Sequence, residues 1–405
     1  MTRRRHQTLV LSYTLTCNAR CAHCVSLAGP KVKRRMPLAE ALEIYTGAAR
    51  SGLFDTVYLT GGENLLHRDD VLELCRHGTA LGLRTEVISN GFWALDVERG
   101  LAFLAPLVEA GLSTLQISID HHHLPYVAAP RVRHALEVVR RLGLQPQLCT
   151  AIDRKEPAPP PEIEDPIQAG RLRLDQVTAE SFDALVAAEW AAIDPDVEQL
   201  LVLYGVPRSE CVPVHVKSSL LRAGDPRAEA IVARYVHPKI VVHHQYTGPV
   251  GRGATLEALP RWHVDQWQDE SCHQAGESPL VTAEGDVFPC CSSWANEPQM
   301  RTTRCSGGNV EEITHAIRQD PIARFMHYQG PRQLVVFLRA QGHDLPEQYG
   351  NICDFCSSLL ARFSRPQLEA FIEQYYQDQP HRRTFATRGL VFDAQVQDHE
   401  AFSSI

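Results

Sequence analysis

The sequence predicts an α/β protein whose N-terminal half is a series of βα units around a parallel sheet. Strand-like and helix-like stretches alternate from residue 9 to about 152, the pattern of parallel strands joined by crossover helices. Of the 405 residues, 44% are hydrophobic and 22% charged, enough apolar surface for a core and too much for disorder. Polar residues also gather just after several strands, where α/β folds place their ligands.

The strand-like runs are 9–15, 57–59, 85–88, 115–119 and 148–152, with a helix-like run at 38–50 after the first. A sixth run, 240–242, leads into Gly248-Pro249-Val250-Gly251-Arg252-Gly253. Between the fifth and sixth lies an insertion of about 155–238. It opens on Glu156-Pro157-Ala158-Pro159-Pro160-Pro161, a stiff polyproline-type spacer. Phe182, Leu185, Val186, Trp190 and Ile193 then recur at the spacing of an amphipathic helix.

Charge and termini exclude several classes of function. Forty Lys and Arg against 48 Asp and Glu give a net charge of -8, which disfavours an electrostatic grip on nucleic acid or an anionic membrane. The basic start leads into Leu9-Val10-Leu11, but Ser12, Tyr13 and Thr14 break the run well short of a signal-peptide core. No stretch approaches the ~20 apolar residues of a transmembrane helix. The expected location is cytoplasmic, so the 12 Cys are read as ligands rather than disulfides.

Their spacing is specific. Cys17, Cys21 and Cys24 form a CxxxCxxC directly after the first strand. Three thiolates this close can converge on one inorganic cluster, and three on a four-iron cluster leave one iron free for chemistry. A zinc knuckle is the competing reading, but zinc usually takes four ligands. The nearest fourth, His23, lies between two of the cysteines.

This segment resembles the cluster-binding loop of the radical SAM superfamily. The resemblance implies a [4Fe-4S] cluster on Cys17, Cys21 and Cys24. Its free iron chelates S-adenosylmethionine (SAM), which is reductively cleaved to a 5'-deoxyadenosyl radical. His23 stands where that family often has an aromatic residue against adenine. Thr60-Gly61-Gly62-Glu63-Asn64, after the second strand, resembles the family's GGEP loop, so Gly61, Gly62 and Glu63 are expected at the methionine amino group, with Asn64 replacing the usual proline. By the same resemblance Ser89, Asn90, Ser118 and Asp120 lie near the SAM ribose and carboxylate or the substrate. Arg252 belongs to the glycine-bearing sixth-strand loop. The implied fold is a partial (β/α)6 barrel over residues 1–255, open on one side, with the insertion as lid or substrate wall.

His121-His122-His123 cannot place three rings on one face, so a three-His metal site is not expected. His123 is kept as a possible substrate contact, against the alternative of a polar loop.

A second cysteine set follows. Cys272 and Cys290 flank a turn at Ala283-Glu284-Gly285-Asp286, and Cys353-Asp354-Phe355-Cys356 is a CxxC downstream of a helix-like 310–318. Four thiolates in two pairs can saturate a cluster or a zinc ion. The pattern resembles the twitch domain, a shortened SPASM domain carrying an auxiliary [4Fe-4S] cluster. This small α+β domain is expected at 256–360, followed by a helical tail at 361–405. Cys291 and Cys305 are spare ligands. Cys75, Cys149 and Cys211 read as buried thiols, and Cys211 is also the candidate hydrogen-atom donor to a substrate radical.

The resemblance implies a radical SAM enzyme served by a flavodoxin- or ferredoxin-type electron donor. A saturated auxiliary cluster suits a reaction in which an electron leaves the substrate. Oxidative modification or crosslinking of a ribosomally made peptide therefore ranks first. A dehydrogenase or epimerase of a small molecule, such as an aminoglycoside or sugar alcohol, is the alternative, and a non-enzymatic zinc or iron–sulfur protein a remote one. The cluster loop begins at Cys17, so no leader-binding domain is expected before it. A peptide leader is expected to dock on the insertion, on the tail or on a separate protein.

Overall fold

A computed structural model describes residues 7–153 and 165–382, apart from positions 192, 194, 248, 249, 257, 258, 260, 268–270, 273, 292 and 381. The polyproline spacer, Gly248, Pro249 and the tail beyond 382 lie outside the described residues.

The N-terminal half alternates as the sequence predicts: β1 (Gln7–Thr14), α1 (Leu38–Ser51), β2 (Phe54–Gly61), α2 (Arg68–Ala80), β3 (Arg84–Ser89), α3 (Val97–Glu109), β4 (Leu112–Ile119), α4 (Ala129–Arg141) and β5 (Gln147–Ile152). Each strand pairs in parallel with the next. Leu9, Leu11, Val57, Leu59, Val87, Leu115, Ile117, Ile119 and Leu148 are fully or almost fully buried, as expected of strands covered by helices. Asp96 caps α3 by accepting from the Arg99 amide at 2.8 Å. Gly52, in the left-handed region, ends α1.

The insertion forms α5 (Ala179–Trp190), α6 (Pro195–Leu203), the short strand β6 (Cys211–Pro213), α7 (Val214–Arg222) and α8 (Pro226–Ile231). The chain then returns as β7 (Ile240–Tyr246), which pairs in parallel with β5 on one side and β6 on the other. The insertion is thus part of the sheet and its helical cover as well as a connection. Its core is Phe182, Leu185, Val186, Trp190 and Ile193, joined by Val197, Leu200 and Leu201. Buried Glu189 holds it together by accepting from Arg171 at 2.7 Å and pairing with His215 at 3.0 Å.

The sheet also runs past the boundary expected near 255. After β8 (Trp262–His263), strand β9 (Leu280–Val281) pairs in parallel with β1, and the antiparallel strands β10 (Asp286–Phe288) and β11 (Thr303–Arg304) extend that edge. The order is β11-β10-β9-β1-β2-β3-β4-β5-β7-β6. Helices Val310–Gln319, Pro321–Tyr328, Pro331–Ala340, Ile352–Arg362 and Arg365–Asp378 follow, with β12 (Gln348–Tyr349) paired to β8. Among the described residues no helix is long and apolar enough to cross a membrane.

The C-terminal segment docks on α1 by backbone contact. A Cβ on Gly47 would collide with the carbonyl of Gly308. Gly47→Ala should therefore cost about 1–3 kcal/mol of stability through overpacking. In urea its unfolding midpoint should fall with an unchanged slope, and an unchanged midpoint would disprove this packing.

Candidate functional site

The C-terminal ends of β1 to β5 open into a cavity of about 250 Å³. It is lined by Cys17, Cys21, His23 and Cys24, by Gly61, Gly62 and Glu63, by Ser89, Asn90, Ser118, Asp120 and His123, and by Arg252. Residues spread over some 236 positions of sequence thus meet in one place, as the strand-end reading requires. Cys149, Thr150 and Thr247 complete the wall.

Two glycines hold the cysteine loop against the sheet. Gly61 has φ 109°, and a Cβ there would meet Ser12 and the Thr14 carbonyl. A Cβ on Gly62 would run into the Thr16 carbonyl. The close approach lets the Gly62 amide donate to the Thr14 carbonyl and the Glu63 amide to that of Thr16, the latter at 2.9 Å. Asn64, in the usual proline position, closes the turn instead by donating from Nδ2 to the Thr60 carbonyl at 3.2 Å.

Glu63 is buried, and burial pushes its carboxyl up to about 7. Amides of Asn90 at 2.8 Å and Leu65 at 3.2 Å, together with the Ser89 hydroxyl, oppose that shift by donating to it. Ser89 Oγ in turn accepts from the Trp93 indole and the Gly91 amide, both at 3.1 Å. Ser89 thus supports Glu63 as well as lining the cavity. Asn90 Nδ2 donates to Asn18 Oδ1 at 2.8 Å, tying β3 to the cysteine loop.

Arg252 grips that loop from the other side. Its amide donates to the Cys24 carbonyl at 3.1 Å, its Nε to Cys21 at 2.9 Å and its Nη2 to Ala28 at 2.6 Å. The guanidinium bonds to backbone carbonyls, so Arg252 is in the first place a clamp.

Asp120 is the charged centre of the far wall. Its Oδ1 accepts from the amides of His122 and His123, both at 2.8 Å, and its Oδ2 meets His123 Nδ1 at 2.6 Å and His23 Nε2 at 3.7 Å. Burial opposes a charge on His123, but Asp120 and the Cys21 thiol outweigh it and raise the imidazole to about 10. Burial instead lowers His23 to about 4. Its ring packs on His122 at 4.6 Å between centroids, and His122 pairs with Asp153 at 3.1 Å. The ligand atoms of His23, Asp120 and His123 lie within 4.8 Å of one another, but the carboxylate already has a cationic partner in His123. Of the three-His run, His123 lines the cavity and His121 is exposed.

The donor set fits an iron–sulfur cluster. Burial pushes the Cys17 thiol up to about 12, a strain that metal coordination of the thiolate relieves. On one side the cavity offers thiols, and on the other a carboxylate, hydroxyls and amides suited to an amino acid. Cys272, Cys290, Cys353 and Cys356 make a second group. Burial raises Cys356, with Cys272 and Cys353 adding to it, and Cys290 feels Cys291, Cys272 and Cys353. Trp294 donates to Cys356. Cys305 lies elsewhere, beside Gly285 and the acidic face of α1, while exposed Cys291 stays next to the group.

Two cysteines differ from their sequence reading. Cys211 begins β6 opposite Ile240, the first residue of β7, and donates to the Pro207 carbonyl at 3.4 Å. That is the amino end of the sheet, away from the cavity, so the structure does not bring this proposed donor to the site. Cys149, read as a buried core thiol, lines the cavity instead. Thr150, the next residue along β5, shares that wall. Tyr204 was also missed: its hydroxyl donates to the Asp120 carbonyl at 2.8 Å and joins the insertion to the site.

Residues 11–142 match the family model of the radical SAM superfamily, so the chain carries a radical SAM domain. It is 27% identical over 382 residues to the putative peptide biosynthesis protein YydG of Bacillus subtilis, covering 92% of this chain and 98% of that protein. It is 37% identical over 122 residues to a GTP 3',8-cyclase of Lactiplantibacillus plantarum, a match to 29% of this chain and 34% of the relative. Among solved structures, BtrN in complex with AdoMet and 2-DOIA superposes with a TM-score of 0.40 at 14% identity, over 81% of this chain and 89% of that one. Streptococcus suis SuiB bound to S-adenosylmethionine gives 0.38 at 12%, over 71% and 61%.

A buried carboxyl with a raised pKa destabilises the ligand-free fold as it ionises. The penalty is absent below its unfolded value, grows as pH rises, and is complete above about 7. Stability of the ligand-free protein should thus fall by roughly 1–3 kcal/mol between about pH 4.5 and 8 through this group. Glu63→Gln should flatten that slope in pH-resolved denaturant titrations. Equal slopes in the two proteins would show that Glu63 is not so perturbed.

Proposed function

We propose that this radical SAM enzyme removes a hydrogen atom from a ribosomally made peptide, and that Cys272, Cys290, Cys353 and Cys356 hold an auxiliary [4Fe-4S] cluster in a twitch-type unit. The observation that carries the substrate class is the similarity to a putative peptide biosynthesis protein along nearly the full length of both chains. The auxiliary assignment is supported by four cysteines drawn from three separate segments that influence one another's thiols.

In this reading Cys17, Cys21 and Cys24 bind the first cluster. With SAM bound and one electron supplied by a flavodoxin- or ferredoxin-type donor, it provides the 5'-deoxyadenosyl radical that takes the hydrogen. The other residues orient and exclude. Glu63, held by Asn90 and Leu65, accepts from the SAM ammonium, which also relieves its burial. Ser118 and Asn90 face the remaining polar groups of SAM from the strand ends. His23 offers an apolar ring face on the adenine side. Arg252 keeps the cysteine loop closed against the sheet.

The fate of the peptide radical is then decided by what stands beside it. A cluster held by Cys272, Cys290, Cys353 and Cys356 would supply a one-electron acceptor, so that loss of an electron and a proton from the peptide radical would give an oxidised or crosslinked product. A second reading, epimerisation, is favoured by Cys149, whose thiol lines the cavity and would return a hydrogen atom to the peptide radical, the thiyl radical left behind being restored by one electron from the same external donor and a proton.

Turnover in D2O separates the two outcomes by mass. Oxidation or crosslinking removes two hydrogens from the peptide, whereas epimerisation exchanges one Cα hydrogen for deuterium from the solvent-exchanged thiol. The expected result is one or the other, together with reductant-dependent 5'-deoxyadenosine. A peptide of unchanged mass alongside a converted small molecule would overturn the substrate class. Bound zinc with no SAM cleavage would overturn the reaction.

A further inference from the structure

The charge of the chain is strongly uneven. Residues 1–39 contain eight Lys or Arg (3, 4, 5, 20, 31, 33, 34 and 35) and no Asp or Glu. The remaining residues therefore hold 40 − 8 = 32 basic groups against all 48 acidic ones, a net charge of -16. One acid-free basic segment is set in an otherwise acidic protein, and it is the segment that contains the cysteine loop.

The structure brings that charge to the loop's outer face. Residues 29–35 return alongside 15–17: the Cys17 amide donates to the Gly29 carbonyl at 3.3 Å, Leu15 to Arg34 at 2.9 Å, and Thr16 Oγ1 to Val32 at 2.9 Å. Arg20, Lys31, Lys33, Arg34 and Arg35 are all exposed. Arg34 pairs with Glu284 at 3.3 Å and Arg35 with Asp70 at 3.0 Å. Arg20, Lys31 and Lys33 have no ion pair among the described residues.

The same loop also exposes an apolar side chain. Leu27 is 46% exposed and has φ 57°, a left-handed backbone that a non-glycine residue enters at a cost of about 1 kcal/mol. Exposed apolar and charged side chains in one segment are the chemistry that protein docking surfaces use.

We propose that this face, with exposed Arg20, Lys31 and Lys33 and the exposed Leu27 of the same loop, docks an acidic electron-donor protein. The inference rests on the reading that an external protein supplies the one electron consumed per SAM cleaved. Complementarity selects both partner and orientation. An acidic donor is repelled by the net -16 of the remainder and drawn to this basic segment, whose backbone pairs with Cys17 at Gly29. Charge of this kind acts mainly on the association rate, by ten- to a thousandfold at low salt, and is screened beyond about 8 Å at physiological ionic strength.

The test is the double variant Lys31→Glu/Lys33→Glu with an acidic flavodoxin as probe. Flavin fluorescence anisotropy reads binding to the chain directly and requires no loaded cluster. The flavodoxin concentration giving half-maximal 5'-deoxyadenosine is measured in parallel with dithionite as a small reductant. The variant should bind flavodoxin at least about tenfold more weakly and need correspondingly more of it, while dithionite-driven turnover and peptide KM stay unchanged. Should the variant fold poorly, the unaltered chain must still lose flavodoxin affinity steeply as salt is raised. Equal affinity in variant and parent, or affinity indifferent to salt, overturns the proposal. So does a rise in peptide KM under dithionite, which would assign the face to an acidic peptide. Failure of dithionite to yield 5'-deoxyadenosine in the unaltered enzyme would instead remove the reaction reading, leaving the anisotropy result to decide docking.

Discussion

The site depends on one close backbone approach. Gly61 and Gly62 bring the end of β2 so near the start of the cysteine loop that its amides reach the carbonyls of Thr14 and Thr16. No side chain fits between them. This contact fixes where Cys17 leaves β1, and it places Glu63 one residue beyond, where the amides of Leu65 and Asn90 capture it. The thiols and the carboxylate are therefore set in one frame by a single seam. Arg252 closes the frame from β7 by gripping the loop's carbonyls at Cys21 and Ala28.

Asp120 has a comparable role on the opposite wall. Both of its oxygens are occupied, one by two backbone amides and the other by His123, whose ring also meets Cys21. Its carbonyl is held by Tyr204 from the insertion. Burying a carboxylate at this depth is tolerable only because its charge and its acceptors are matched. One consequence is mechanical: the segment expected to act as lid or substrate wall is hydrogen-bonded to the main chain of the site. Another is chemical, because the His pattern Asp120-His121-His122-His123 works as an ion-paired turn with a single ring directed at the cysteines.

What the sequence made legible was local. The cysteine triplet, the Gly-Gly-Glu turn and the strand ends at Ser89, Ser118 and Asp120 each announce themselves within a few residues, and alternating βα runs order them along one sheet edge. Long-range pairing was not legible. Nothing near Leu280 indicates that two residues of β9 lie beside Val10 and Leu11 and carry the sheet past β1. Cys149 looks like any core cysteine until β5 is set in register with β4, opposite Ser118, and its face of the strand becomes the cavity wall. The place of Cys211 was not legible for the same reason. Its residue type was suitable, but β6 meets β7 at the wrong end.

The two cysteine sets are also joined physically, through a turn rather than a domain interface. In the short helix Ser293–Asn296, Trp294 donates to Cys356. Two residues later, Asn296 Nδ2 donates at 3.1 Å to the carbonyl of Val25, the residue after Cys24. A displacement of this turn at one end must be felt at the other, because both hydrogen bonds belong to a single helical turn. The loop 17–28 is thus held by Gly62 from the sheet, by Arg252 from β7 and by Asn296 from the C-terminal segment. Its outer face is left to the basic run and Leu27. With its other sides committed to the fold, that outer side is, among the described residues, the approach left to a partner.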